Sequence, residues 1–189
     1  GIKKTWRDIF PCGEHDREGG VEDAMRFHCR PVRLDFVESA PLRFVKEVEI
    51  AAPPAAVFNI LADEDAWPRF LRDVMTAKWT SPEPHGVGST RTLVLKGMTV
   101  KEYFIAWEPG KRFTFCLLEA TVPLARALCE DYRLEATGNG KCRLTYIMAC
   151  EPSLLLNLMG PVGKRLLGDL CNRVTRGLAD FVKDGGGTN

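Results

Sequence analysis

The sequence lacks an excess of charge of either sign. Its 26 Lys and Arg residues are matched by 25 Asp and Glu residues, which gives a formal net charge of +1 over 189 residues. Proteins that bind nucleic acid or anionic membranes usually carry a strong positive charge. The sequence also has no apolar run of about 18 residues, the length that crosses a bilayer. We therefore expect no nucleic-acid partner and no stable membrane insertion.

Several catalytic signatures are absent as well. The sequence contains no G-x-S-x-G elbow, no Walker A loop and no H-E-x-x-H motif. The GVG triplet at 86–88 precedes a predicted strand instead of a helix, so it is not a dinucleotide-binding turn. No order of Ser, His and Asp suggests a nucleophilic triad. These absences argue against the common hydrolase, nucleotide-binding and zinc-protease classes.

The seven cysteines are an odd number and contain no C-x-x-C pair. Five lie in apolar segments, where a thiol acts as a small hydrophobic group: Cys116, Cys129, Cys142, Cys150 and Cys171. This usage favours a reducing compartment, so we expect a cytoplasmic protein. Cys12, His15, His28 and Cys29 loosely match a zinc ligand set, but the adjacent His-Cys pair has poor spacing for a zinc finger. We predict no metal and no cofactor.

The longest predicted element is a helix at 161–184. Proline at its first position and Gly185 just past its end mark both boundaries. Eight apolar residues share an arc of about 160° at helical period: Leu166, Leu167, Leu170, Cys171, Val174, Leu178, Phe181 and Val182. Such a stripe requires an apolar partner of similar length.

Alternation of apolar and polar residues predicts that partner as a sheet. Seven strands are expected, at 42–52, 74–79, 89–95, 98–107, 112–118, 128–137 and 141–150. Two short helices, near 54–61 and 65–71, separate the first strand from the second. The segregation of strands and helices predicts an α+β domain with an antiparallel sheet.

The domain boundaries follow from the same patterns. Residues 42–184 form the predicted domain. Residues 1–41 lack clear periodicity and are treated as an N-terminal extension with one short helix near 21–27, and residues 185–189 as a flexible tail.

Turn lengths then predict which side chains face each other. A two-residue turn at Lys96-Gly97 makes Arg91 face Glu102. A two-residue turn at Pro109-Gly110 makes three further pairs, namely Ala106 with Phe113, Phe104 with Phe115 and Glu102 with Leu117.

For the last hairpin, a two-residue loop would set Glu135 against Leu144. A three-residue loop pairs Leu134 with Leu144, Tyr132 with Tyr146 and Glu130 with Met148, and we prefer it because its pattern is consistent. The resulting inner face is apolar with five polar exceptions: Arg91, Glu102, Glu130, Tyr132 and Tyr146.

Five segments carry a family resemblance. They are VEIAAPPAAVFNILADEDAWPRFL at 48–71, GVGSTRTLVL at 86–95, EYFIAWEPGKRFTF at 102–115, GNGKCRLTYIMACEP at 138–152 and MGPVGKRLLGDLCNRVTRGLADFV at 159–182. In this order they resemble the helix-grip superfamily of START domains and the birch pollen allergen, within it the bacterial polyketide cyclase/dehydrase and lipid-transport group (SRPBCC). The resemblance covers 42–184. It implies a curved seven-stranded antiparallel sheet wrapped around the C-terminal helix, with a hydrophobic cavity between them. Members include transporters, receptors, chaperone activators and aromatase/cyclases, so the fold does not imply one reaction.

We expect the protein to bind or transport a hydrophobic small molecule, such as a lipid or polyketide, in this cavity. The first alternative is a cofactor-independent polyketide cyclase, aromatase or dehydratase in which Arg91 orients an oxyanion and Glu130 or Tyr132 moves protons. The second is a protein-interaction module that uses the apolar segment 154–159. Either a monomer or a homodimer is compatible with the sequence.

The predicted ligand-binding residues lie on the inner face, at the cavity mouth and on the long helix. They are Trp67, Phe70, Arg91, Leu93, Glu102, Phe104, Phe115, Leu117, Glu130, Tyr132, Tyr146, Met148, Met159, Leu170 and Val174. The turn at 96–97, the loop at 120–126 and the segment 153–160 form the expected entrance. Two roles remain open for the pair of Arg91 and Glu102: it holds a ligand carboxylate or phenolate, or it is a structural ion pair.

Overall fold

An antiparallel sheet provides the framework of the protein. The computed structural model describes residues 25–186. In chain order the elements are β1 (Phe27–His28), α1 (Phe36–Ser39), β2 (Leu42–Ile50), α2 (Pro54–Ala62), α3 (Trp67–Phe70), β3 (Val74–Trp79), β4 (Thr90–Leu95), β5 (Met98–Glu108), β6 (Arg112–Ala120), β7 (Ala125–Gly138), β8 (Lys141–Pro152), α4 (Leu154–Leu158) and α5 (Gly160–Lys183).

The seven long strands are hydrogen-bonded in the order β2-β8-β7-β6-β5-β4-β3. The long helix α5 packs across this sheet, chiefly against β2, and contacts α3. This arrangement confirms the predicted α+β class, the antiparallel sheet and the two short helices between the first two long strands. The sheet also gains an eighth strand, β1, which the sequence analysis did not predict.

β1 pairs with the last part of β6, where Phe27 lies opposite Ala120. The pairing of β6 with β7 ends at Cys116, so the end of β6 is free to accept another strand. Because Phe27 is extended, the short helix predicted near 21–27 is wrong at that residue. The first four residues of that predicted helix lie outside the described residues.

The hairpin between β4 and β5 has the predicted register, with Arg91 opposite Glu102. The last hairpin does too, with Tyr132 opposite Tyr146 and Glu130 opposite Met148. The side chains that the turns were expected to bring together are therefore neighbours in the sheet.

The turn of the last hairpin differs from the predicted three-residue loop. Gly138 pairs with Lys141 around the two residues Asn139 and Gly140, whose φ angles are +52° and +71°. Such positive angles are typical of the tight turns that join antiparallel strands. An irregularity between Ala136 and Gly138 shifts the register by the residue that the longer loop would have supplied.

Between β5 and β6 the prediction is only partly correct. Phe104 lies opposite Phe115 and Glu102 opposite Leu117, as expected, but the predicted pair of Ala106 with Phe113 is wrong. The predicted two-residue turn is wrong here, because Glu108 pairs with Arg112 around three residues, 109–111, so Trp107 faces Phe113. The register shift between Phe104 and Ala106 absorbs the extra residue and restores the predicted pairing beyond it.

The apolar stripe of α5 is buried at Leu167, Cys171, Val174 and Leu178. Leu166 departs from the prediction because 54% of its surface is exposed. It lies one helical turn after Val162, which is also exposed, so the first turns of α5 carry an apolar face toward solvent.

A second apolar cluster lies on the other face of the sheet. Val32, Val37 and Ala40 pack there against sheet residues that include Cys116 and Ile147. Residues 32–40 thus cover part of the sheet opposite α5. The boundary of the domain at residue 42 stays a prediction.

Six cysteines fall within the described residues, and all six are buried and unpaired: Cys29, Cys116, Cys129, Cys142, Cys150 and Cys171. Among residues 25–186, no group of three His, Cys, Asp or Glu side chains is arranged to hold a metal ion. Cys12 and His15 lie outside this range. None of the described helices is both long and apolar enough to span a membrane.

Gly177 provides a test of how closely α5 packs on α3. A Cβ atom at this position would overlap the carbonyl oxygen of Phe70, which is backbone and cannot rotate away. We expect Gly177→Ala to lower the free energy of unfolding by roughly 1–3 kcal/mol, measured by urea denaturation. Gly168→Ala is the matched control, because its Cβ would lie 3.6 Å from the Phe44 ring. It should stabilise the helix by about 0.5–1 kcal/mol, and equal effects of the two substitutions would contradict the packing.

Candidate ligand-binding site

A cavity of about 60 Å³ lies between the inner face of the sheet and α5. Fifteen residues line it: Trp67, Leu71, Leu93, Leu95, Met98, Val100, Glu102, Leu117, Leu124, Leu128, Glu130, Met148, Leu167, Leu170 and Val174. The volume is well below the roughly 300–1,000 Å³ of sites that enclose drug-sized ligands. In this conformation the cavity holds only a few non-hydrogen atoms.

Eight predicted site residues line this cavity: Trp67, Leu93, Glu102, Leu117, Glu130, Met148, Leu170 and Val174. Seven lining residues were not among the predicted site residues: Leu71, Leu95, Met98, Val100, Leu124, Leu128 and Leu167. Several had a visible signal, since Val100 pairs with Leu93 on the inner face and Leu167 belongs to the stripe of α5. Leu124 lies in the connection between β6 and β7, within the loop at 120–126 that was expected to form part of the entrance.

The other predicted site residues lie elsewhere. Buried behind the cavity wall are Phe70, Arg91, Phe104, Phe115, Tyr132 and Tyr146. Met159 lies between α4 and α5, is 37% exposed and does not line the cavity. Sequence alternation identifies the face of a strand, but it does not distinguish a side chain at the cavity surface from one behind it.

Arg91 and Glu102 form an ion pair inside the domain. The guanidinium Nε donates a hydrogen bond to Glu102 Oε2 at 2.8 Å, and the two side chains are 0% and 2% exposed. Nη1 donates to the carbonyl oxygen of Leu61 at 3.2 Å. Leu61 lies in the last turn of α2, where carbonyl groups lack partners within the helix. Arg91 thus joins β4, β5 and α2 in one polar contact.

Aromatic rings enclose the rest of this guanidinium. Its central carbon lies 4.3 Å from the ring centroid of Trp67, and four further rings lie between 5.2 and 5.7 Å away: Trp79, Phe104, Phe113 and Phe115. Ring faces attract cations, and more strongly where water is excluded. Nη2 of Arg91 has no hydrogen-bond partner, and the aromatic rings are its surroundings instead.

This geometry bears on the two roles that the sequence left open for Arg91, a ligand anchor and a partner in a structural ion pair. The cavity is lined by Glu102, whereas Arg91 pairs with Glu102 and does not line the cavity. The carboxylate, and not the guanidinium, is the charged group presented to the cavity.

Glu130 is the second carboxyl group of the cavity wall. The Tyr132 hydroxyl donates a hydrogen bond to its Oε2 at 2.8 Å. Burial, and next the nearby charge of Glu102, raise the pKa of Glu130 from 4.5 to about 7. The Tyr146 hydroxyl is near enough to influence this pKa, although it has no hydrogen bond of regular geometry.

The charges in this interior nearly balance. Burial raises the pKa of Glu102, whereas the neighbouring Arg91 favours its ionised form. One guanidinium and two carboxyl groups carry a net charge of −1 when both acids are ionised. A proton on Glu130 brings that charge to zero, an effect that adds to burial in raising the pKa of this carboxyl to about 7. Such a group can both accept and donate a proton.

The mouth of the cavity lies where the turn between β4 and β5 meets the connection between β6 and β7. Thr121 donates a backbone hydrogen bond to Thr99 across this end of the sheet, at 3.0 Å. The partly buried lining residues Leu95, Met98 and Leu124 flank it. The middle of α5, with Leu170 on the cavity side, closes the remaining edge.

An antiparallel sheet, two short helices between its first long strands and a long terminal helix over an apolar cavity together define the helix-grip fold. A family model described as "Polyketide cyclase / dehydrase and lipid transport" matches residues 41–183. The protein belongs to this family, and its fold and family indicate a hydrophobic ligand-binding domain.

Relatives and solved structures agree with this membership. Uncharacterised proteins of Mycobacterium tuberculosis and Mycobacterium bovis are each 43% identical over 124 residues, or 65% of this chain and 74% of theirs. A START superfamily protein from Mycobacterium smegmatis superposes with a TM-score of 0.65 at 16% identity, covering 75% of this chain and 97% of that one. Ginseng major latex-like protein 151 from Panax ginseng superposes with a TM-score of 0.59 at 16% identity, covering 74% of this chain and 95% of that one. At these identities the structural likeness shows the fold alone.

The raised pKa of Glu130 predicts how stability depends on pH. The folded protein retains a proton up to about pH 7, whereas the unfolded chain releases it near 4.5. The free energy of unfolding should therefore fall as the pH rises from about 4.5 to about 7. Glu130→Gln should remove this part of the slope and be more stable than the native protein near pH 8, by up to about 3 kcal/mol at 1.4 kcal/mol per pKa unit.

Urea denaturation across this pH range provides the measurement. The control is Glu135→Gln, also on β7, because the Glu135 side chain is 71% exposed and should leave the slope unchanged. If the free energy of unfolding varied with pH in the same way for the native protein and Glu130→Gln, the pKa of Glu130 would not be raised in the folded protein.

Proposed function

We propose that this protein binds, and carries, a hydrophobic small molecule such as a lipid or polyketide in the cavity between its sheet and α5. One observation carries the proposal: the lining is apolar except for Glu102 and Glu130. A few polar groups in an apolar concavity are typical of small-molecule sites. The six unpaired thiols favour a reducing compartment, so we place the binding in the cytoplasm.

The small volume limits how a ligand is held. About 60 Å³ accommodates one end of an elongated molecule, while the remainder extends toward the mouth. A ligand enclosed entirely would require part of the wall to move. The wall formed by Leu167, Leu170 and Val174 belongs to α5, and the residues just before it are extensively exposed, with Leu158 at 76% and Val162 at 63%. An outward shift of this end of α5 would leave these exposed residues unaffected, but it would separate the buried Gly163 from Leu156.

Blocking the mouth tests the proposal. Leu170→Trp places a bulky ring at the cavity edge, so we expect it to reduce the affinity for the neutral fluorescent amine phenylnaphthylamine by about tenfold or more, since the lost contact area is apolar. The readout is the fluorescence increase on binding. Leu166→Trp, on the same helix but 54% exposed and outside the cavity lining, is the matched control.

Organic extraction and mass spectrometry of the purified protein provide a second measurement. The native protein and Leu166→Trp should release an apolar compound that Leu170→Trp lacks. If the native protein releases none and binds no dye, the binding proposal is wrong.

A second candidate function is proton transfer on a bound polyketide, as in a cyclase or dehydratase. The observation that favours it is the Glu130 carboxyl, which titrates near pH 7 and is hydrogen-bonded to Tyr132. A general acid or base is most effective when its pKa lies near the working pH. Arg91 has no direct part here, because it does not line the cavity.

Turnover measurements separate an enzyme from a carrier. With a polyketide substrate, Glu130→Gln should lower kcat by about 10²–10⁴-fold, the usual contribution of a positioned acid or base. Tyr132→Phe should shift the pH profile with a smaller loss, since it removes the hydrogen bond to the acid. Equal turnover in the native protein and Glu130→Gln would exclude this chemistry at Glu130.

A further inference from the structure

We infer that the cavity selects apolar molecules whose polar end carries a hydrogen-bond donor, a hydroxyl or ammonium group, and disfavours those that end in a carboxylate. The inference rests on the proposed binding function and specifies the class of ligand. It follows from the hydrogen-bond acceptors on the cavity lining and from the lack of available donors there.

The cavity presents acceptors. Its polar lining side chains are Glu102 and Glu130. The hydrogen bonds from Arg91 and Tyr132 both end on Oε2 atoms, so each carboxyl group retains a second oxygen for a ligand. A hydroxyl or ammonium group that reaches these oxygens gains a charge-assisted hydrogen bond in a water-poor site.

The hydrogen-bond donors near the cavity either are bonded within the protein or do not line the cavity. Arg91 uses Nε and Nη1 within the protein, and its remaining nitrogen lies among aromatic rings behind the wall. The Tyr132 hydroxyl is bonded to Glu130. The Tyr146 hydroxyl has no hydrogen-bond partner, but it is buried and does not line the cavity. Trp67, which does line the cavity, donates its indole hydrogen to the Leu61 carbonyl at 2.9 Å. A carboxylate entering the cavity would face two acids and find no available donor on the lining side chains.

Strand geometry places the polar end deep in the cavity. Glu102 is four residues from Met98 along β5, which corresponds to roughly 13 Å of extended strand away from the turn at the mouth. Partly buried apolar side chains flank the mouth. A ligand therefore enters with its donor group first and leaves its apolar chain near Leu95 and Leu124.

The charge on Glu130 then distinguishes the two donors. The ionisable groups around it are Glu102 on β5, Arg91 on β4, Tyr132 on its own strand, Tyr146 on β8 and Cys171 on α5. An ammonium group needs an ionised Glu130 to balance its charge, whereas a hydroxyl can donate to the carboxylate or to the carbonyl oxygen of the neutral acid. Affinity for an amine should therefore increase as the pH rises through about 7, and affinity for an alcohol should change little.

Three ligands with one chain length test the inference by calorimetry: octanol, octylamine and octanoate. Near pH 8 we expect the alcohol and the amine to bind at least about tenfold more tightly than the acid, the factor that corresponds to one pKa unit of interaction. Glu130→Gln should weaken octylamine binding by about tenfold and remove its pH dependence, while octanol binding stays within about twofold. Glu135→Gln on the same strand should change none of these values, since its side chain is exposed.

The outcomes separate this inference from the binding proposal. If phenylnaphthylamine binds but octanoate binds as tightly as octanol, or octylamine is insensitive to Glu130→Gln, the selectivity is wrong and the binding function stands. If neither the dye nor any octyl compound binds, both are wrong.

Discussion

A buried guanidinium is the constraint on which much of this structure depends. Arg91 is inaccessible to solvent and lies in an otherwise apolar interior. An isolated charge in such a place would cost many kcal/mol, so it has to be paired and hydrogen-bonded. Glu102 supplies the charge, the end of α2 supplies a carbonyl oxygen, and Trp67 supplies a ring face. One side chain thereby determines how α2 and α3 lie against the centre of the sheet.

The same ion pair explains why a cavity lies beneath α5. Glu102 compensates Arg91, but its position beside Glu130 leaves two carboxyl groups on the wall facing the helix. Apolar side chains packed directly onto both groups would remove their remaining solvation. A small space with acceptor groups at its inner end is the arrangement that avoids this. The elevated pKa of Glu130 has the same origin, since burial and then the charge of Glu102 both disfavour its ionised form.

Much of the fold was predictable because it depends on local periodicity. The stripe of α5 and the turn at Lys96-Gly97 correctly predicted a long terminal helix and the register of Arg91 opposite Glu102. The failures had two causes. The turn after β5 contains three residues instead of two, a length that its Pro-Gly pair does not specify, and this brings Trp107 opposite Phe113. The pairing of Phe27 with β6 depends on a contact between residues far apart in the sequence.

The candidate site also has features that the sequence predicts and features that depend on tertiary packing. By itself the sequence determined that Arg91, Glu102 and Glu130 share the inner face of the sheet, because side chains alternate strictly along a strand. Only the tertiary structure decided their depth: Arg91 lies behind Glu102 against the end of α2, and the carboxyl groups face the cavity. Depth depends on the packing of α2, α3 and α5 over the sheet, which no periodicity encodes. That packing leaves the two carboxyl groups, and not the guanidinium, on the cavity lining.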